Sequence, residues 1–402
     1  MAAEHEETAP WLPPARPAGG SAPIGPASTR RPGEAEALAR PLPAPPPRWL
    51  VRAVTRLRRG LRWAADRVVP ARLALFEMIP GVMVTQLLHA AARLRIADLL
   101  ADGPASAGEL AARTGTDADS LHRMLRGLAT LGVFALSPDG RFRNNRLSAP
   151  LCSGGAGSLR QYADYFGSAS NVLAWADFDW TLATGRSAFP RMHGMPVWDW
   201  FDAHPAEREV FAGAMVSLTE LFAAGVATCY PFAEVHRVCD VGGGSGTLLA
   251  ELLLRHPHLR GVLFDGPGVV ELARSSFAGK GLAERAETVA GSFFAEVPAG
   301  CDAYLLKNVL HDWDDERAHQ ILANCRRAMQ PGGRLLVVET VVEPAGTSGI
   351  GPLSDLQMMT VCCEGRERGR GELEELLKRA GFRLTRLLPT PGPMTLIEGI
   401  AC

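Results

Sequence analysis

The chain has 402 residues, of which 47% are hydrophobic and 21% charged, with a formal net charge of −1. This length exceeds one ordinary domain and can bury a large core, while the near-neutral charge removes any general attraction to nucleic acid or to an anionic membrane. No uninterrupted apolar run reaches the roughly 18–20 residues of a spanning helix, and eight cysteines occur without a C-x-x-C pair. A soluble, cytoplasmic protein with reduced thiols is therefore expected.

Residues 1–48 are rich in Ala, Pro, Gly and Arg, and Pro43-Ala44-Pro45-Pro46-Pro47 forbids regular helix or strand. A disordered tail is expected. Glu4, Glu6 and Glu7 oppose a secretory or organellar leader. The basic stretch Arg48–Val69, with Arg52, Arg56, Arg58, Arg59, Arg62 and Arg67, reads as a helical solvated arm, a lipid- or nucleic-acid-binding arm being the sharper alternative.

Residues 49–151 are expected to form a helical domain with a winged-helix pattern. Ser106 caps a short helix, Leu121, Met124, Leu125, Leu128 and Leu131 recur at helical spacing, and 133–136 with 141–143 form a hairpin wing. Arg123 and Arg126 on the second helix would suit a DNA reader. The near-neutral charge and the enzyme-like segment that follows favour a dimerisation module.

Residues 152–235 read as a helical connector carrying Trp175, Trp180, Trp198 and Trp200. Flat side chains gathered in one segment can line a pocket for a planar ligand. Trp175, Trp180 and Met195, with Met358 further along, are the candidate substrate contacts.

From 236 to 402 short apolar runs alternate with helical patterns: Val238–Val241, Gly261–Phe264, Ala286–Val289, Ala303–Leu306 and Leu335–Val338, then Phe382–Leu388 with Met394–Ile400. The fold class is α/β: a Rossmann-like parallel sheet with a reversed edge strand. The first run ends in Asp240-Val241-Gly242-Gly243-Gly244-Ser245-Gly246-Thr247, a strand-to-helix glycine turn that admits a ligand against the backbone. Thr247 stands where a dinucleotide fingerprint has its last Gly or Ala. Asp265, about 20 residues further, ends the second strand, where an acid can accept both hydroxyls of a ribose.

The G-x-G-x-G turn resembles the first motif of S-adenosylmethionine (SAM) methyltransferases. With Asp265-Gly266-Pro267, Gly291-Ser292-Phe293-Phe294, and Lys307-Asn308-Val309-Leu310-His311-Asp312-Trp313-Asp314-Asp315-Glu316, the likeness becomes specific. The chain resembles, over about residues 75–402, the O-methyltransferases of the caffeate, acetylserotonin and hydroxyneurosporene type, including bacterial tailoring enzymes for aromatic polyketides. The resemblance implies SAM as cofactor, a homodimer, and a small aromatic substrate. It also implies His311 as proton acceptor, Glu339 and Glu367 as flanking acids, and Lys307, Ser292 and Phe293 near the adenosyl group. Asp240, Gly242, Gly244, Gly246 and Asp265 complete the expected cofactor set.

The chemistry agrees. A neutral imidazole with pKa near ~6.5 can take a hydroxyl proton close to neutral pH, and an acid on its other nitrogen would orient it. Exposed ion pairs with Arg366 or Arg368 compete for Glu367. No metal is expected: Asp314 reads as a helix cap, with Asp315 and Glu316 in the first turn, rather than as part of a cation site with Asp312. Ser292 replaces the family's usual Asp, which removes charge assistance from a contact to adenine. Two other functions stay open: a non-methylating hydroxylase or decarboxylase on the same scaffold, and a winged-helix regulator that senses a ligand.

Overall fold

The computed structural model describes residues 40–155, 157–342 and 350–402. The expected disordered tail lies outside these up to residue 39. Residues 40–47, assigned to the same tail, are placed against the C-terminal domain: the Leu42 amide donates to Glu251 at 2.9 Å, and Arg255 donates to the Leu42 carbonyl.

Helices α1 (Arg48–Val68), α2 (Ala71–Met78), α3 (Gly81–Arg93) and α4 (Ile96–Leu99) open the chain. Strand β1 (Ala105–Ser106), helices α5 (Ala107–Thr114) and α6 (Ala118–Thr130), and strands β2 (Ala135–Leu136) and β3 (Arg141–Arg143) complete the winged-helix unit, with the small sheet ordered β1-β3-β2. Ser106 and Glu109 cap α5 reciprocally, which satisfies amide groups that the helix start leaves without partners. Leu121, Leu125 and Leu128 are buried against Ile96, Leu110 and Phe142. Leu131, placed on the same stripe by spacing, is 47% exposed, because α6 ends before it.

Helices α7 (Arg160–Phe166), α8 (Ala169–Ala176), α9 (Phe178–Thr184), α10 (Ala188–His193), α11 (Val197–Ala203) and α12 (Pro205–Cys229) form the connector. By mean hydropathy, rather than by uninterrupted runs, two segments among the described residues reach a spanning length. Ala71–Arg93 and Pro205–Cys229, of 23 and 25 residues, are long and apolar enough by mean hydropathy. A count of uninterrupted apolar residues misses them because isolated charges such as Arg72, Glu77 and Glu220 break the runs. In α12 the apolar residues Ala223, Val226 and Ala227 are spent inside the protein, against the main sheet.

The C-terminal domain contains β4 (Arg237–Val241), α13 (Thr247–Arg255), β5 (Arg260–Asp265), α14 (Pro267–Gly279), β6 (Ala286–Ala290), β7 (Ala303–Lys307), α15 (Asp315–Ala328), β8 (Arg334–Thr340), α16 (Gly351–Val361), α17 (Arg370–Arg379), β9 (Phe382–Pro389) and β10 (Met394–Ala401). The sheet order is β6-β5-β4-β7-β8-β10-β9. The first five strands pair in parallel, and β10 runs antiparallel to both β8 and β9. The reversal expected at the end of the sheet is thus one strand in from the edge.

Burial on both faces explains the continuous apolar runs. Cys239, Val241, Leu306 and Val337 meet α15 and α17 on one face, while Val238, Leu263, Leu305 and Leu336 meet α12, α13 and α14 on the other. The order reverses between β4 and β7, since β5 and β6 lie on one side of β4 and β7 and β8 on the other. A ligand crevice forms at the strand carboxyl ends of such a switch point. The β4 end supplies the glycine turn and the β7 end supplies Lys307 and the loop bearing His311.

Candidate active site

The cofactor-facing half of the crevice is mostly backbone. Gly242, Gly244 and Gly246 have φ of +70°, +59° and +74°, the left-handed region in which a Cβ is costly. A Cβ on Gly246 would lie 2.4 Å from Phe277, whereas one on Gly244 would meet open space. The turn is therefore fixed by packing at its helix end and free at its centre. Asp265 joins the two strand ends: its Oδ2 accepts from the Gly244 amide at 2.8 Å and its Oδ1 from the Gly266 amide at 2.7 Å. Burial raises its pKa, and these two amides oppose the rise.

Asp240 is 2% exposed and its Oδ2 has no hydrogen-bond partner. Burial pushes its pKa up to about 7, with Lys307 opposing. Burial likewise takes Lys307 down to about 8, against the pull of Asp240, Glu339 and Asp312. An unsatisfied buried carboxylate beneath the glycine turn, near the half-buried Lys307, is incomplete as a structural pair. An added polar, positively charged ligand would complete it, which fits the methionyl end of SAM. Phe293 lies over the turn, its ring 3.5 Å from where a Gly242 Cβ would stand. Ser292 is exposed, and its hydroxyl accepts from the Phe294 amide at 3.3 Å.

The other half is a network of side chains from four separate segments. His311 lies in a 3-10 turn, Leu310–Asp312, just after β7 and is 7% exposed. Its Nδ1 is 3.0 Å from Glu367 Oε1. Glu367 is buried and does not pair with either neighbouring arginine. Arg366 pairs with Glu372, and Arg368 with Asp315 at 2.9 Å. Glu367 Oε1 also accepts from Ser354 at 2.7 Å, and the Glu367 amide donates to Asp355 at 2.9 Å.

Glu339 lies beside His311 and makes its hydrogen bonds to the loop backbone. Its Oε1 accepts from the backbone amides of Val309, Leu310 and His311 at 3.2, 2.8 and 3.2 Å, so it holds the loop backbone rather than the imidazole ring. From the other side Arg368, 1% exposed, donates to the carbonyls of Leu310 and Trp313, each at 2.8 Å. Gly365 makes the crossing possible: a Cβ there would come 2.6 Å from the His311 carbonyl oxygen. Asn308 enters the loop at φ +52°, a strained conformation that persists because its surroundings fix it.

Burial alone would lower the pKa of His311. Glu367, Asp312 and Glu339 more than reverse this and push it up to about 10. Asp312, whose Oδ1 is 3.6 Å from His311 Nε2, is itself pushed up to about 6 by burial, against the pull of His311. His311, Glu339 and Glu367 offer ligand atoms within 4.8 Å of one another. Glu339 Oε1 is engaged by three amides and Glu367 Oε1 by His311 and Ser354, while Glu367 Oε2 is buried without a hydrogen-bond partner. Asp314 accepts from the Arg317 amide at 2.7 Å as a helix cap, with Asp315 and Glu316 in the first turn of α15.

Among the candidate substrate contacts, Trp175 donates to Gln357 at 2.7 Å and stacks on Phe178. Gln357 donates on to Asn171 at 2.7 Å, so α8 and α16 are joined beside the Ser354 turn. Met358 is half-buried on α16, and Met195 is half-buried between α10 and α11. Trp180 lies beneath the Arg191 guanidinium, 5.3 Å away. Trp198, which spacing did not single out, stacks on Trp313 and leaves its buried Nε1 without a partner. Ser354 and Gln357 were also absent from the sequence reading, and Arg368 entered it only as an exposed ion-pair partner for Glu367. A Ser and a Gln on a helix and an Arg in an Arg-rich loop carry no local signal of burial.

Comparison with known proteins gives a consistent result. A family model of the O-methyltransferase domain matches residues 175–383, and one of the O-methyltransferase dimerisation domain matches residues 76–154. Over 330 residues the chain is 41% identical to the phenazine O-methyltransferase PhzM of Lysobacter antibioticus, covering 82% of this chain and 96% of that protein. Over 315 residues it is 38% identical to the aclacinomycin 10-hydroxylase RdmB of Streptomyces purpurascens, covering 77% and 84% respectively. The crystal structure of human N-acetylserotonin methyltransferase in complex with SAM matches with a TM-score of 0.77 at 28% identity, covering 83% of this chain and 98% of that one.

Proposed function

The chain belongs to the SAM-dependent O-methyltransferases that act on aromatic natural products, and from that membership we propose that it methylates a phenolic hydroxyl of a small planar, polyketide-like aromatic, with His311 as base. The observation that carries this reading is the buried contact of 3.0 Å between His311 Nδ1 and Glu367 Oε1, one strand end away from the glycine turn. A carboxylate on Nδ1 fixes the tautomer and leaves Nε2 to accept a proton.

The raised basicity of His311 suits the substrate class. Glu367, Asp312 and Glu339 raise the basicity of His311, so its neutral ring is a stronger base toward a phenol than a free imidazole is. Bound SAM supplies the methyl group and brings one positive charge into the site. Lys307 and Asp240 would hold its methionyl end, Gly242, Gly244 and Gly246 would pass beneath it, and Asp265 would accept from its ribose. Phe293 would stack on the adenine, and Ser292 would contact its edge without charge assistance. Glu339 and Arg368 hold the loop on which His311 stands. This lets the acceptor oxygen and the methyl carbon be set in line, the positioning that dominates such displacements.

Trp175 and Met358, on either side of Gln357, and Met195 are assigned to the substrate wall. The division into 49–151 for dimerisation, 152–235 for the substrate wall and 236–402 for SAM belongs to the same reading. The homodimer rests on the matched dimerisation domain and on the exposed apolar residues Phe76, Met78, Ile79, Val82 and Met83.

The test is product mass. Incubation with SAM and a panel of hydroxylated phenazines, naphthoates and anthracyclines should give products heavier by one CH₂ unit, made at least tenfold more slowly by His311→Gln. The identity with a hydroxylase gives the competing outcome a definite form: products altered by oxygen, or by loss of CO₂, with no methyl gained.

A further inference from the structure

The most basic element of the molecule lies outside the reaction. Helix α1 is bounded by Pro47 and Pro70 and precedes both matched family segments. Every residue from Arg52 to Val68 is exposed. Leu50, Val54, Leu57, Leu61, Ala64 and Val68 follow one another at steps of four, three, four, three and four, which places them on one stripe of the helix. Arg48, Arg52, Arg56, Arg58, Arg59, Arg62 and Arg67 share the remaining surface with the exposed Trp49 and Trp63 and a single acid, Asp66. Arg67 also covers the ring of Trp63 at 4.2 Å.

We propose that α1 is a membrane-surface anchor that lies in the plane of an anionic lipid bilayer, its Leu50–Val68 stripe in the acyl boundary and its arginines among the headgroups. An exposed apolar stripe of five turns needs a cover, and seven arginines against one acid specify a negatively charged one. The same four-three spacing could form a seam with a second copy of the helix. That pairing is disfavoured because the flanking positions carry Arg58 and Arg67 with no acid opposite, and Gly60 beside the seam lowers helix propensity. The whole chain has a formal net charge of −1 and Arg48–Val68 contributes seven arginines and one acid, so the rest of the chain is net acidic and the attraction is local to this arm. The Pro-rich segment before α1 is held on the catalytic domain through Leu42, Glu251 and Arg255, which would keep the active site close to the bilayer. The homodimer proposed above would present two such helices and so raise the avidity.

The experiment is co-sedimentation of the full-length protein with vesicles of phosphatidylcholine alone, and of phosphatidylcholine and phosphatidylglycerol in a three-to-one ratio. Binding to the mixed vesicles only, weakened by salt, is expected. Leu57→Glu/Leu61→Glu should lower the bound fraction at least tenfold, with dimer mass and SAM binding unchanged. Arg58→Gln/Arg59→Gln/Arg62→Gln, which keeps the apolar stripe, should lower it severalfold and flatten the salt dependence. The proposal is overturned if both vesicle types bind equally or neither binds. It is also overturned if the Leu57/Leu61 variant binds vesicles normally but loses its dimer, which would assign the stripe to self-pairing. Retention of a DNA duplex by the Leu57/Leu61 variant at undiminished affinity, without vesicle binding by the parent protein, would assign the arginines to nucleic acid instead.

Discussion

The two halves of the crevice are built in opposite ways. The cofactor half is backbone geometry: three left-handed glycines and an acid that clamps the turn, all within the 26 residues from Asp240 to Asp265. The base half is side-chain geometry: His311, Glu339, Ser354, Glu367 and Arg368 meet from elements that the chain order separates. A backbone site carries its own signature in sequence, because only certain residues permit the conformation. A side-chain network does not, because each member is an ordinary residue until the fold buries it.

This contrast predicts separable damage. His311→Ala should lower kcat by about 10²- to 10⁴-fold, the usual worth of a positioned base, while SAM affinity, measured by calorimetry, changes by less than about twofold. A parallel loss of SAM binding would break the distinction between the halves. Arg368→Met leaves two carbonyls and Asp315 without their donor. It should cost about 2–3 kcal/mol of stability in denaturant unfolding and lower kcat through the loosened His311 loop. Gly246→Ala has the reverse signature. Its left-handed backbone and the approach to Phe277 should weaken SAM binding about tenfold or more, with kcat at saturating SAM reduced far less.

Most of the fold was legible from periodicity and glycine placement. All seven strands of the main sheet lie within about two residues of the apolar runs; the inner strands are covered on both faces and apolar almost throughout, while the edge strands Ala286–Ala290 and Phe382–Pro389 are only partly buried. The burial of α12 and the exposure of Leu131 were not legible, because both depend on what packs beside them. At the site, the glycine turn and Asp265 stood out through local spacing, while Lys307 and His311 were implied by the family resemblance. Glu367 was left between an ion pair and a role at His311, and the structure places it at His311 Nδ1 because Arg366 and Arg368 are each drawn to another acid. Glu339 was identified, but its target was not: only tertiary placement reveals that it accepts from three amides of the loop. Arg368 was invisible as a buried residue, since an arginine between Glu367 and Gly369 reads as surface.

The central claim is that Glu367 raises the basicity of His311 so that the ring can take the hydroxyl proton. The direct measurement is the pH dependence of kcat/KM for the parent enzyme and for Glu367→Gln. In the free parent enzyme His311 holds its proton up to about pH 10, so kcat/KM should still be rising above neutral pH. Removing the carboxylate removes a cause that raises this pKa, so in Glu367→Gln the limb should move to lower pH by at least about one unit, toward an ordinary imidazole, with a lower plateau. An identical limb in both proteins, or the same limb surviving in His311→Gln, would contradict the account.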